Sequence, residues 1–229
     1  MLWQKSRREF LGGLAVALVG LFVPKPLYAA NPRKIAAFDL LDPPISYSAD
    51  YELRTGTGFY AGTVAHAPGR ERREWMTKTG RQTLIIRRDT DLVAILVPSL
   101  KSFLSHKFSV FAGLLGNLDA LRLEMIEEGR ENLSGIAVTR YRAQGAEPGG
   151  GRFAGKLWLS KSGLMMKADG VAAFEGKETP FQFALANPSI GTVDPELFEP
   201  PEGYGEIKLA EHITPEQIAA MLKLMQGGR

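Results

Sequence analysis

The chain has no cysteine, and only three histidines, His66, His106 and His212, are scattered over its 229 residues. The missing cysteine excludes disulfides, thiol nucleophiles, thiolate-bound metals and a lipid-modified cysteine. The histidines are too few and too far apart for a metal set or a catalytic triad. His66 falls at an expected turn, His106 lies beside Lys107, and His212 precedes an expected helix. There is no Gly-x-Ser-x-Gly elbow and no His-Glu-x-x-His pair. Gly56 and Gly58 followed by Gly62 miss the dinucleotide spacing and lead into a strand, so turn glycines account for them. No cofactor, metal or catalytic residue is expected, and the chain does not read as an enzyme.

Long apolar runs and surplus charge are also lacking. The stretch Phe10 to Val23 has 14 residues; at ~1.5 Å per residue it reaches about 21 Å, short of a ~30 Å hydrocarbon core. It follows Ser6-Arg7-Arg8-Glu9-Phe10-Leu11 and precedes Pro24-Lys25-Pro26 and Leu27-Tyr28-Ala29-Ala30. Polar, apolar and small-residue blocks in that order describe a signal peptide. Its start closely resembles the twin-arginine export motif, with Arg7 and Arg8 as the recognised pair. That resemblance implies a periplasmic protein cut after Ala29 or Ala30. Residues 1–30 carry Lys5, Arg7, Arg8 and Lys25 against Glu9, which leaves 24 basic and 24 acidic residues beyond them. A formally neutral remainder gives no nucleic-acid footprint. Residues 31–229 suit one domain.

What is present is mainly period-two alternation. Ile45, Tyr47, Ala49, Tyr51 and Leu53 alternate with Ser46, Ser48, Asp50, Glu52 and Arg54, as in a strand with one wet face. Strands follow at Phe59 to Ala67, Glu71 to Thr79, Gln82 to Arg88 and Leu92 to Val97, separated by short turns, which makes an antiparallel meander. Asp89 and Asp91 flank one turn, where aspartate is favoured. Arg87 with Asp89, and Arg72 with Glu74, read as same-face pairs on the wet side. Leu104, Phe108, Phe111, Leu115 and Leu118 then step by 4, 3, 4 and 3, the spacing of a helix face. Strands resume at Leu121 to Ile126, Ile136 to Ala143, Phe153 to Ser160, Leu164 to Phe174 and Pro180 to Ala186, with a Gly- and Pro-rich loop over Gly145 to Gly151. Thr214, Pro215 and Gln217 open a second helix over 214–226 with a capping box.

Several segments in order carry a family resemblance: Tyr47-Ser48-Ala49-Asp50, His66-Ala67-Pro68-Gly69-Arg70-Glu71-Arg72-Arg73-Glu74, Ile85-Ile86-Arg87-Arg88-Asp89 before Val97-Pro98 and Lys101, Gly155-Lys156-Leu157-Trp158-Leu159 with Gly163 to Lys167, and Leu197 to Tyr204. Over residues 44–204 the chain resembles the LolA-type periplasmic lipoprotein carriers. The resemblance implies a mainly β fold, a strongly curved antiparallel unclosed barrel with helices over its open side. It also implies an apolar cavity that takes acyl chains.

An apolar face is the expected site. Alternation puts Tyr47, Tyr51, Leu53, Tyr60, Val64, Trp75, Ile86 and Ile95 on one face. Leu157, Leu159, Phe181, Phe183 and Leu185 join it from the second half. Leu104, Phe108, Phe111, Leu115 and Leu118 are the expected gate. The expected function is non-enzymatic binding or carriage of a lipid or lipoprotein acyl chain by a monomer, with envelope membrane proteins as further partners and no nucleic acid. The alternatives are a structural or interaction protein with a packed barrel, or an exported enzyme.

Overall fold

The computed structural model describes residues 32–110 apart from 57 and 79, residues 120–210 apart from 149, 175 and 176, and residues 214 and 217; for Phe174 and Lys177 it describes the backbone. Arg7 and Arg8, together with Phe111, Leu115 and Leu118, lie outside the described residues, as does most of the expected C-terminal helix.

The described residues form a single sheet of thirteen strands. In chain order these are β1 (Arg33–Ala36), β2 (Tyr47–Thr55), β3 (Gly58–Ala67), β4 (Arg70–Thr77), β5 (Gly80–Arg87), β6 (Leu92–Val97), β7 (Ser102–Lys107), β8 (Arg122–Leu133), β9 (Ile136–Ala146), β10 (Arg152–Ser160), β11 (Met165–Phe174), β12 (Lys177–Ile190) and β13 (Gly205–Lys208). A short helix, α1 (Ala37–Leu41), follows β1. Across the sheet the order is β1-β8-β9-β10-β11-β12-β2-β3-β4-β5-β6-β7-β13. Among the described residues the two edge strands, β1 and β13, do not pair, so the sheet curves without closing, as expected. All pairings are antiparallel except β13 on β7.

The alternation of β2 survives as burial: Tyr47, Ala49 and Tyr51 are buried while Ser48, Asp50 and Glu52 are exposed. β5 and β6 are buried on both faces instead. Their second face carries Ile85, Ala94 and Leu96, packed with Phe103 and Tyr204. Phe198, from the single-turn helix Pro195–Phe198, is also almost fully buried. A tail that covers the outer face explains why two-sided apolar strands occur in an antiparallel sheet. It also corrects the wet-side reading of two ion pairs. Arg72 does pair with Glu74 at 2.6 Å and Arg87 with Asp89 at 2.8 Å. Yet Arg72 also donates to the Leu197 carbonyl, and Arg87 to Glu199, so both pairs fasten the tail.

The gate helix needs a second correction. Leu104 lies within β7, fully buried, opposite Ile95 on β6 and Ile207 on β13. The helical spacing that starts at Leu104 competes with a local alternation, Phe103 outward and Leu104 inward. The strand wins because it buries Leu104, half-buries Phe103 and completes the backbone pairing of β6.

Glycines and bulges bend the sheet. Gly155 and Gly170 face each other on the inner surface. A Cβ on Gly155 would stand 2.3 Å from the Asp169 carbonyl oxygen, and one on Gly62 only 1.7 Å from that of Glu74. Phe153 and Phe181 flank the Gly155–Gly170 pair with their rings edge to face at 6.5 Å, which restores apolar cover where side chains are missing. Bulges at Glu127/Gly129, Trp158/Leu159 and Ala186/Ser189 add local twist. The Gly-rich loop is a tight turn in which the Glu147 carboxylate accepts the Gly151 N–H at 2.6 Å. The capping box forms: Thr214 N–H donates to Gln217 Oε1 at 2.8 Å and Gln217 N–H to Thr214 Oγ1 at 3.3 Å.

Candidate functional site

Cross-strand partners share a face, so the register defines the inner surface. Leu53 pairs with Tyr60 and Phe183, Tyr51 with Gly62 and Leu185, and Tyr47 with His66. Gly62 pairs with Trp75, Val64 with Arg73 and His66 with Glu71. Arg73 pairs with Leu84 and Glu71 with Ile86; Leu84 pairs in turn with Ile95 and Ile86 with Val93. In the second half Phe183 pairs with Ala168, Ala168 with Leu157 and Leu157 with Tyr141. All thirteen residues expected to line one apolar surface therefore share the inner face.

They differ in how deeply they sit. Tyr47, Tyr51, Val64, Leu157, Leu159 and Phe183 belong to the main core with less than a tenth of their surface exposed, and Ile86 is equally buried. Leu53, Tyr60, Trp75, Ile95 and Phe181 are half-buried. Phe153 and Leu84 share that condition. Trp75 meets Tyr60 edge to face at 6.5 Å. Leu53, Tyr60, Trp75, Phe153 and Phe181 all lie toward one end of the sheet, the end with the β2–β3, β4–β5 and β9–β10 turns.

The opposite end is closed by charge. Asp42, just after α1, accepts at Oδ1 from the Gly69 N–H at 2.9 Å and contacts His66 Nε2 at 3.0 Å. The other ring nitrogen of His66 lies 3.0 Å from the Ile45 carbonyl oxygen, so both face acceptors. His66 is completely buried and its ring stacks on Tyr47 at 5.0 Å. Glu71, also buried, accepts from Arg73 Nε at 2.7 Å and lies 4.0 Å from Arg88. Arg88 lies 5.4 Å from the rings of both Phe38 and Phe108, which are themselves 6.1 Å apart. Phe108 thus stacks on a buried cation, and α1 closes this end. Burial, then the nearby Glu71 charge, pushes the Tyr47 phenol far above its ordinary pKa. Burial likewise raises Tyr51.

Arg73 links the two ends. Its guanidinium lies 5.5 Å from the Tyr51 ring and 5.9 Å from that of Phe183, and its side chain is 23% exposed. Burial opposes its charge, but the Glu71 carboxylate and the hydrogen bond they share raise its pKa above the ordinary arginine value. Beyond that bond, its terminal nitrogens make no hydrogen bond among the described residues. A guanidinium with hydrogen-bonding capacity left over, on an otherwise apolar surface, can take a carboxylate or phosphate. Sequence reasoning missed it. The one available signal is that Glu71 and Arg73 precede Trp75 at period two; Arg70, Arg72 and Glu74 between them are charged too, which hides the face.

A separate cleft of about 930 Å³ runs beside β1 and α1 to the β10–β11 turn, and its lining includes Tyr141, Leu159, Arg33, Arg122 and Lys161. It lies within the size range of small-ligand sites.

No protein-family model matches the sequence, and no curated protein does. Some solved structures are distantly similar. An uncharacterized conserved protein from Thermus thermophilus is 14% identical, with a TM-score of 0.48 over 72% of this chain and 91% of that one. MucB, whose complex with MucA is from Pseudomonas aeruginosa, is 15% identical in its complex with MucA(peri), with a TM-score of 0.42 over 72% of this chain. The match spans 60% of the MucB chain. A putative outer membrane lipoprotein-sorting protein domain from Vibrio parahaemolyticus is 10% identical, with a TM-score of 0.27 over 66% and 88%. At such identities the likeness is one of fold alone.

Proposed function

We propose that the chain is a non-enzymatic binding module of the cell envelope that takes an acyl chain against the inner face of its sheet. The observation that carries this reading is the half-buried strip of Leu53, Tyr60, Trp75, Leu84, Phe153 and Phe181 around Arg73. A finished core leaves few large aromatic side chains half-covered on its concave side, whereas a guest would complete their burial. Each buried methylene contributes about 0.8 kcal/mol, so ten give ~8 kcal/mol before ordering costs. Arg73 then meets the anionic head of a fatty acid or phospholipid. Export through the twin-arginine pair Arg7 and Arg8 belongs to the same proposal and puts the module in the periplasm.

Displacement of a fluorescent fatty acid tests the reading. The wild-type protein should bind the probe, and Trp75→Ala and Phe181→Ala should each weaken binding about tenfold or more while the fold persists. Arg73→Met should weaken a fatty acid more than its methyl ester. A wild-type protein that binds no acyl probe refutes the proposal and favours an interaction protein with a packed barrel.

A further inference from the structure

Three hairpin connections sit side by side at the aromatic end of the first half: β2 to β3, β4 to β5 and β6 to β7. Each presents one large exposed apolar residue: Phe59 is 50% exposed, Met76 69% and Leu100 52%. Each also presents cations. Arg54 pairs across β2 and β3 with Phe59 and lies 4.3 Å over its ring. Arg81 pairs across β4 and β5 with Met76, Lys78 is exposed in the same turn, and Lys101 follows Leu100. Residues 54–59, 76–81 and 98–102 contain no aspartate or glutamate. Carboxylates of neighbouring elements border the tips: Glu74, already bound by Arg72 and within 3.4 Å of Arg81; Glu52; exposed Glu178, next to Thr179, which faces Gly56; and exposed Glu202, in the turn before Gly205, whose N–H donates to the Lys101 carbonyl.

The connections at the other end of these strands differ. The β5–β6 turn holds Asp89 and Asp91, and Asp89 pairs with Arg70 of the β3–β4 hairpin. Since residues 31–229 are formally neutral, the basic character of these three tips is a matter of placement and not of composition.

We propose that these three tips form a docking surface for an anionic lipid bilayer. Exposed Phe, Met and Leu suit the boundary between headgroups and acyl chains. Cations beside them, with no carboxylate in the tips themselves, match a negative membrane surface. Long basic side chains keep their charge at headgroup level while their stems follow the apolar residues inward. Leu53, Tyr60 and Trp75 lie on the inner face at the same end, so a docked rim sets the mouth of the sheet on the membrane. The docking rests on Phe59, Met76, Leu100 and their cations alone, and it stands whether or not the inner face takes an acyl chain.

The absence of cysteine permits a position-specific test in the full chain. Phe59→Cys, Met76→Cys and, as a control, Ile190→Cys each carry a polarity-sensitive fluorophore. Ile190 is 53% exposed and pairs with Tyr47, at the far end of the sheet. On vesicles of phosphatidylglycerol and phosphatidylcholine, the labels at 59 and 76 should shift to the blue and the label at 190 should not. Pure phosphatidylcholine should give little shift. Lys78→Glu with Lys101→Glu should lower the apparent vesicle affinity about tenfold or more, and 0.5 M salt should do the same. No shift at 59 and 76 overturns the proposal, as does an equal shift at all three positions, which would report anchoring by another segment. A shift produced by envelope proteins and not by protein-free vesicles also overturns it, in favour of a protein partner.

Discussion

The two ends of the curved sheet use the same inner face in opposite ways. At the Tyr47 end, ionisable groups are buried in contact with one another: Asp42 with His66, and Glu71 with Arg73 and Arg88. At the Trp75 end, aromatic groups with no charge to satisfy are left half-buried. Burying a charge is costly unless it is paired, so the first arrangement persists only as a complete set. Leaving an aromatic ring half-covered is mildly unfavourable and tolerates change. The comparison teaches that one end holds the fold together and the other leaves apolar surface uncovered.

Breaking the charged end should have the largest effect. Glu71→Ala leaves Arg73 and Arg88 without their shared carboxylate in a site where the Glu71 side chain is only 3% exposed. Removing one partner of a buried ion pair costs about 3–5 kcal/mol. For a domain of this size that lowers the melting temperature by roughly 6–20 °C. Thermal unfolding of the variant checks it. A shift of a degree or two would mean that solvent reaches the cluster and that the end is not sealed.

Trp75→Ala, at the other end, should cost roughly 1–2 kcal/mol, below the ~3–5 kcal/mol of a fully buried aromatic residue. Its larger consequence should be on acyl-probe affinity. Equal destabilisation by Trp75→Ala and Glu71→Ala would erase the distinction between the two ends.

The strands from Tyr47 to Val97 and from Arg122 to Ile190 were legible because their alternation is local, and so was the membership of the inner face. The capping box at Thr214 and Gln217 was legible for the same reason. β7 was not, since the run from Leu104 satisfies a helical spacing better than an alternation, and only pairing with β6 decides between them. β1 and β13 are four residues each, too short for any period to show. Part of the cover over Ile85, Ala94 and Leu96 comes from Tyr204, more than a hundred positions later, so Arg72 and Arg87 could be paired correctly from sequence yet assigned to the wrong environment. His66 looked like a turn residue because its partners, Asp42 and Ile45, lie more than twenty positions earlier.

The smallest effect concerns pH at the charged end. The hydrogen bond from Arg87, opposed by modest burial and aided by Arg70, holds the Asp89 carboxyl below the ordinary aspartate value. A carboxyl that is more acidic in the folded chain than in the unfolded one binds fewer protons when folded. Its stabilisation is therefore fully present above the unfolded value of ~3.9 and is lost as pH falls through the lower folded value. Asp89 is 31% exposed, so solvent screens the contribution and the effect is modest. Asp89→Asn removes the titrating group while keeping an oxygen to accept from Arg87. The variant should be slightly less stable than wild type at pH 7, and the difference should shrink as both are taken from pH 5 to pH 2. Melting temperatures across that range check it. A gap that stays constant would show that the Asp89 contribution is geometric and not electrostatic, and would leave the tail held by Arg72, Phe198 and Tyr204 instead.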